Sequence, residues 1–103
     1  MNFIPRHKFR SQITEVDGIK FRSKKEAHYY KQLRMLQRNG DVIFFLRQVP
    51  FYLAGDTKYV CDFVEFRKDG TVHFIDVKGF RTPQYIEKKK MVEATYPVII
   101  EEK

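Results

Sequence analysis

Hydrophobic and polar positions alternate on both sides of Lys68-Asp69-Gly70, and a period of two flanking a Gly-ended turn predicts a β-hairpin. One strand reads Tyr59-Val60-Cys61-Asp62-Phe63-Val64-Glu65-Phe66-Arg67, the other Thr71-Val72-His73-Phe74-Ile75-Asp76-Val77-Lys78. Upstream, Ser23-Lys24-Lys25-Glu26 has the capping-box pattern that opens a helix, which runs through Tyr29, Tyr30, Leu33 and Leu36 and closes at Asn39-Gly40. An apolar stretch over 42–53 predicts a strand region broken at Pro50, with Ala54-Gly55-Asp56-Thr57 turning it into the hairpin. Thr82 suits an N-cap and Pro83 the first helical position, so a second helix is expected to reach about Thr95 and to end before Pro97. Val98-Ile99-Ile100 predicts a last short strand, and Asp17-Gly18 near the start a small hairpin over 13–22.

The order helix, three strands, helix, strand makes the second helix a crossover between two parallel strands, right-handed by the general rule. The expected fold is therefore α/β, an αβββαβ core with helices flanking a mixed sheet. At 103 residues and 43% hydrophobic content the chain has the size of one domain, 1–103, with a mobile basic arm expected over 1–12.

Two loops compete for the central hairpin, and they differ in which side chains share a face. A three-residue loop with Gly70 in the left-handed conformation pairs Arg67 with Thr71 and sets Asp62 opposite Asp76. A two-residue Asp69-Gly70 turn pairs Lys68 with Thr71, sets Asp62 against Val77 and sends Asp76 to the other face. Side-chain chemistry favours the first. One face then collects Val60, Val64, Phe66, Val72 and Phe74 with Asp62, Asp76 and Lys78 at one end, while Glu65 opposes His73 on the other.

Charge narrows the partners. Twenty Lys and Arg against thirteen Asp and Glu give a formal +7, which favours a polyanion such as nucleic acid. A membrane is the weaker choice, because the apolar run Val42-Ile43-Phe44-Phe45-Leu46 is far too short to span one and the N-terminus has no apolar segment of signal-peptide length. A soluble, cytoplasmic protein is expected. Cys61 is the only cysteine, which excludes an intramolecular disulfide and a cysteine-based zinc site, and its strand position reads as a small buried hydrophobe. His7, His28 and His73 show no ligand spacing.

In the favoured register Asp62 and Asp76 stand about 5 Å apart at Cβ, a pairing that drives one of them to keep its proton unless a cation intervenes. Hard divalent ions such as magnesium take carboxylate oxygens together with water and phosphate. A solvated sheet end with an Asp–Lys pair is the plainer alternative. Glu26 has a complete local explanation as the acid of the capping box, yet helical spacing puts it on the stripe of Tyr29, Tyr30 and Leu33. An acid on a core-facing stripe needs a partner, and the same cation would serve.

Together these residues resemble the PD-(D/E)XK nuclease superfamily: a helix bearing Glu26, then Asp62, then Asp76-Val77-Lys78, in αβββαβ order. More narrowly, Val16-Asp17-Gly18-Ile19-Lys20-Phe21-Arg22-Ser23-Lys24-Lys25-Glu26-Ala27 and Asp76-Val77-Lys78-Gly79-Phe80-Arg81-Thr82-Pro83 resemble a small phage-encoded group related to Holliday-junction resolvases. The similarity covers residues 16–101 and departs at Cys61, where the superfamily name expects proline. It implies a restriction-endonuclease-like fold and a magnesium- or manganese-dependent endonuclease acting on branched DNA in the host cytoplasm. It also implies that Asp62, Asp76 and the Val77 carbonyl bind the metal, that Glu26 ligates it directly or through water, and that Lys78 orients or helps deprotonate the attacking water. Products with 5′-phosphate and 3′-hydroxyl ends are expected.

Tyr85, Lys88 and Lys89 share a helical face by spacing and are candidate DNA contacts, as are Arg22, Lys24, Lys25 and Arg81. Arg6, Lys8 and Arg10 would follow the phosphate backbone as an arm. Paired cutting of a symmetric junction implies a homodimer, and replication or recombination proteins are possible further partners. The competing class is a non-catalytic nucleic-acid-binding accessory module of nuclease-like fold. A small ribosome-associated protein also fits the charge but leaves the Asp62, Asp76 and Lys78 trio without a purpose.

Overall fold

The computed structural model describes residues 13–103, so the arm expected over 1–12, with Arg6, Lys8 and Arg10, lies outside the described residues. The chain forms two compact units, one ending at Gln32 and the other running from Leu33 to Lys103.

In the first unit β1 (Thr14–Val16) and β2 (Ile19–Phe21) pair antiparallel through the Asp17-Gly18 turn. Both turn residues have positive φ, 53° and 77°, as the type I′ hairpin turn requires. Helix α1 (Lys24–Arg38) opens where the capping box put it, with the Glu26 amide donating to Ser23 Oγ at 3.1 Å. Ala27 and Tyr30 are buried on this helix, as is Glu26 at 7% exposure. Tyr30 stacks obliquely on Phe21 and donates its hydroxyl to Asp17 Oδ2 at 3.0 Å, which ties the helix to the hairpin turn.

The end of α1 belongs to the second unit. Gly40, at φ 87°, lets its own amide reach the Gln37 carbonyl and the Asp41 amide reach the Leu36 carbonyl, the double bond of a Schellman stop. Leu33 is buried, but Leu36, expected on the same inward stripe, is exposed, so the apolar face of α1 ends one turn early.

Four further strands and one helix complete the αβββαβ order: β3 (Val42–Leu53), β4 (Thr57–Arg67), β5 (Val72–Asp76), α2 (Pro83–Thr95) and β6 (Ile100–Glu102). The sheet is mixed, in the order β3-β4-β5-β6, antiparallel except for the parallel β5–β6 pair that α2 connects. Two strand expectations need correction. Pro50 does not break β3, because β3 is an edge strand, the place in a sheet where a residue without an amide is tolerated. The last strand occupies Ile100–Glu102 rather than 98–100, which brings Glu102 level with Asp76.

Helix α2 starts and stops as its sequence requires: Thr82 Oγ1 accepts from the Tyr85 amide at 3.0 Å, and Pro83 takes the first turn. Its Tyr85 and Val92 enter a core with Tyr59, Cys61 and Val64 of β4 and Ile100 of β6. Phe51, Phe66, Phe74 and Tyr96 pack around it.

The hairpin register is the three-residue one. Phe63 pairs with Ile75, Val64 with Phe74, Glu65 with His73 and Phe66 with Val72. The Arg67 amide donates to the Thr71 carbonyl at 2.9 Å, and Gly70 sits at φ 89°. Asp69 selects this loop over the tighter one, because its Oδ1 accepts from both the amide and the hydroxyl of Thr71 at 2.9 and 2.6 Å.

The inward face of β4 is less regular than strict alternation predicts. It consists of Tyr59 and Cys61 and then of Val64 and Phe66, so it passes from odd to even positions around Asp62. Val60, expected inside, is 36% exposed. Across the ladder Gln48, the counterpart of Asp62, has φ 52°, a left-handed residue in the middle of a strand. Here the two strands change the faces they present to the core.

Candidate active site

The site grows from that change of face. Continuing the register by one residue sets Asp62 against Asp76, and since Arg67–Thr71 is a hydrogen-bonded pair, the alternation makes 62–76 a non-bonded pair, where side chains stand closest. Asp62 is held from two sides. Its Oδ2 accepts from the Val77 amide at 2.9 Å and its Oδ1 from Gln48 Nε2 at 3.3 Å.

Asp76 is 1% exposed. Its Oδ2 accepts a short hydrogen bond from the Tyr59 hydroxyl and lies 3.8 Å from Lys78 Nζ, while its Oδ1 is buried with no hydrogen-bond partner. Burial first, then the neighbouring Asp62 carboxyl, push its carboxyl up to about 7, although Tyr59 and Lys78 pull the other way. Tyr59 can donate here because Tyr59 and Asp76 both face the core cluster, which regular alternation along β4 would have prevented.

Lys78 is braced from below. Its ammonium lies 4.4 Å from the centre of the Tyr85 ring, and its amide donates to the Lys103 carbonyl at 3.2 Å. The Tyr85 hydroxyl in turn donates to Glu102 Oε2 at 2.8 Å, and Arg81 Nε approaches the same oxygen at 3.2 Å. Burial, with Asp76 beside Tyr59 and with Glu102 and Asp76 beside Tyr85, raises both phenols far above their ordinary values, so both remain hydroxyl donors at any working pH.

The structure thus brings together Asp62, Asp76, Val77 and Lys78. Glu26 is buried at the start of α1 in the first unit, where Arg22, Lys24 and Lys25 are exposed. On α2 the shared face of Tyr85 and Lys89 is the one turned toward the sheet. Tyr85 is buried with its hydroxyl committed to Glu102, which removes it as an outward DNA contact. Lys89 is half-buried and 3.5 Å from Glu93, Lys88 is half-buried, and Arg81 is exposed apart from its pairing with Glu102.

Three residues of the site escape sequence reasoning: Tyr59, Gln48 and Glu102. Alternation places Tyr59 on the face opposite Asp62, nothing in the run over 42–53 marks Gln48 as left-handed, and Glu102 requires the parallel register of β6. Cys61 is the buried hydrophobe expected of it; its thiol, pushed up to about 12 chiefly by burial, points at the Phe63 and Ile75 carbonyls.

The donor set suits a hard divalent cation. A bare buried carboxylate oxygen beside a second carboxylate is an unfavourable arrangement that a cation relieves. Among the described residues no three His, Cys, Asp or Glu side chains gather as ligands for one ion, so this site offers two carboxylates.

Tyr59→Phe isolates the phenol's contribution. Loss of a hydrogen bond to a buried carboxylate is expected to cost roughly 1.5–3 kcal/mol, read as a lower urea midpoint. The loss should be larger at pH 8 than at pH 5, because the bond favours the ionised form of Asp76. Equal losses at both pH values would place the phenol's main role in packing.

A family described as protein of unknown function, DUF1064, matches residues 6–102, and the chain belongs to that family. No curated protein matches the chain. Among the described residues no helix is long and apolar enough to cross a membrane.

Proposed function

We propose that this protein is a metal-dependent DNA endonuclease that hydrolyses phosphodiester bonds and prefers branched DNA, in keeping with the resemblance of its motifs to PD-(D/E)XK nucleases. One observation carries the reading: Asp76 keeps one buried carboxylate oxygen without a hydrogen-bond partner, beside the Asp62 carboxyl and with its other oxygen 3.8 Å from the Lys78 ammonium. A domain that only bound phosphates would gain nothing from gathering two acids, one of them buried, where the polyanion approaches.

In this reading Asp62, Asp76 and the Val77 carbonyl would hold magnesium or manganese. The ion supplies Lewis acidity, lowering the pKa of a water and offsetting charge on a phosphoryl oxygen. The chain's own groups do the rest. Lys78, seated on the Tyr85 ring, presents positive charge to the phosphate as negative charge builds on it and can orient the attacking water. Gln48 and the Val77 amide fix the Asp62 carboxylate, and Tyr59 holds one oxygen of Asp76 and leaves the other without a hydrogen-bond partner. Arg22, Lys24, Lys25 and Arg81, all exposed, serve the DNA backbone, and a net charge of +7 supports it at longer range.

A second reading keeps the fold and the DNA but removes the chemistry: a non-catalytic accessory module for replication or recombination. The two-carboxylate count among the described residues is the observation that favours it. A cleavage panel separates the two, offering a four-way junction, a flap, a fork, linear duplex and single strand with magnesium, manganese or calcium. Cutting of branched DNA in magnesium or manganese, with none in calcium, is expected. Binding without cutting in any metal would leave the accessory role. Paired cutting of the junction also requires two active sites, so light scattering of the junction complex should give two chains per DNA.

A further inference from the structure

The short segment joining β5 to α2 carries a side chain that the proposed chemistry leaves unused. Phe80 is 78% exposed, the most exposed large hydrophobic among the described residues. Single exposed apolar side chains are ordinary on protein surfaces, so exposure by itself decides nothing. The setting of this one is unusual in three respects.

First, both ends of its segment are pinned. Lys78 is tied by its amide to the Lys103 carbonyl and by its ammonium to Asp76 and Tyr85, while Arg81 pairs with Glu102 and Thr82 caps α2. Between these anchors Gly79 stands clear of the body, where an added Cβ would meet open space. Phe80 is thus presented from a short strap.

Second, its neighbours are cationic. Lys78 and Arg81 stand two positions before and one position after it in the chain, and an aromatic side chain interleaved with Lys and Arg is the combination with which proteins hold single-stranded nucleic acid: cations follow the phosphates and the ring takes the base. Third, Phe80 is close to the chemistry. Two peptide steps from Lys78 span at most about 7 Å, about two nucleotide rises of about 3.4 Å measured along the axis of a duplex.

We infer that Phe80 is a stacking platform for an unpaired nucleobase lying within about two nucleotides of the phosphate at the Asp62–Asp76 site. The inference rests on the nuclease reading and deepens it. In an intact duplex every base face is covered by its neighbours, so a ring at this position can stack only where a strand is splayed, frayed or branched. Preference for branched DNA would then come from a base that is free to leave its stack, with charge supplying affinity for any DNA.

The chain has no tryptophan among its aromatic residues, so Phe80→Trp introduces a single tryptophan, excited selectively over the tyrosines, at the position in question. Titrating it in calcium with a forked DNA, an oligo-dT single strand and a relaxed, covalently closed duplex circle should quench emission with the first two and leave it unchanged with the third. Phe80→Ala, a truncation of an exposed side chain that leaves the fold intact, should weaken fork and oligo-dT binding roughly 10-fold while closed-duplex binding stays the same. Phe80→Leu, which keeps apolar bulk without a flat face, should behave as Phe80→Ala does.

Absence of quenching on the fork, or unchanged discrimination in Phe80→Ala, overturns the platform. These readouts need no catalysis. Quenching that persists in a protein unable to cut any DNA in magnesium would support the platform and remove the nuclease; normal branched-DNA cutting by Phe80→Ala would do the reverse.

Discussion

Replacing Asp76 by Asn is expected to yield a folded protein that binds branched DNA in calcium and no longer cuts it in magnesium. Asn is close in shape to Asp and keeps an oxygen that can accept the Tyr59 hydroxyl, so the buried hydrogen bond survives. What disappears is the charge on the oxygen that has no protein partner. A neutral amide is a poor ligand for a hard cation, and loss of one preorganised electrostatic group at a reacting phosphate is worth on the order of 10³-fold in rate. Binding should respond differently. Removing an acid next to a phosphate relieves repulsion, and no Lys or Arg is lost, so the salt dependence of binding should keep its slope. Single-turnover cleavage of a labelled junction, together with anisotropy titrations in calcium at several salt concentrations, reads both quantities. Undiminished cutting by Asp76→Asn would remove the proposed site.

The same substitution is expected to stabilise the protein at alkaline pH when no divalent cation is present. Asp76 titrates near 7 in the fold, raised from 3.8, so between those values the folded state holds a proton that the unfolded state has released. Stability must therefore fall as pH rises through the window from about 4 to about 7, and it levels off above it. Three pH units correspond to an upper bound of about 4 kcal/mol, at about 1.4 kcal/mol per unit. Asn has no such titration. Wild type and Asp76→Asn should have similar melting temperatures at low pH and diverge toward pH 8, where the variant should be more stable by about 2 kcal/mol, or roughly 10 °C for a chain of this size. Adding magnesium at pH 8 should raise the wild-type melting temperature toward that of the variant and leave the variant unchanged. Parallel stability curves from pH 4 to pH 8 would show that Asp76 ionises freely in the fold.

Opposite effects on activity and stability from one substitution are what a site that stores unfavourable charge should produce. Carboxylates brought together for a cation destabilise the fold that holds them, and Tyr59, Gln48, the Val77 amide and Lys78 offset part of that cost. A surface Asp–Lys pair, the plainer interpretation of the same residues, would show neither effect.

Local signals carried much of the fold. The capping box at Ser23, the Schellman stop at Gly40, the Thr82-Pro83 start of α2 and the three-residue loop at Gly70 are each set by side chains within a few positions of the backbone they control. Their energetics are complete within one turn of chain, and so each was legible. The loop mattered most, because its register is what sets Asp62 against Asp76 rather than on the opposite face.

Other features depended on parts of the chain far apart in sequence. Pro50 looked like a break until β3 took an edge position, and Leu36 looked inward until the buried face of α1 ended at Leu33. The outward reading of Tyr85 failed for a related reason. Helical spacing correctly groups Tyr85 with Lys89, but only the packing of α2 on the sheet decides which way that group faces.

By itself, the sequence determined the order of elements, the hairpin register and the identity of the two acids and the lysine, since short-range hydrogen bonds and side-chain alternation suffice for these. Tertiary structure alone decided that β4 changes face around Asp62 so that Tyr59 reaches Asp76, that Gln48 adopts a left-handed conformation to hold Asp62, and that β6 brings Glu102 level with Asp76 to anchor Tyr85 and Arg81. It also left one oxygen of Asp76 buried without a partner. The physical reason is that burial and desolvation depend on everything packed around a group, and alternation along one strand contains no information about its neighbours.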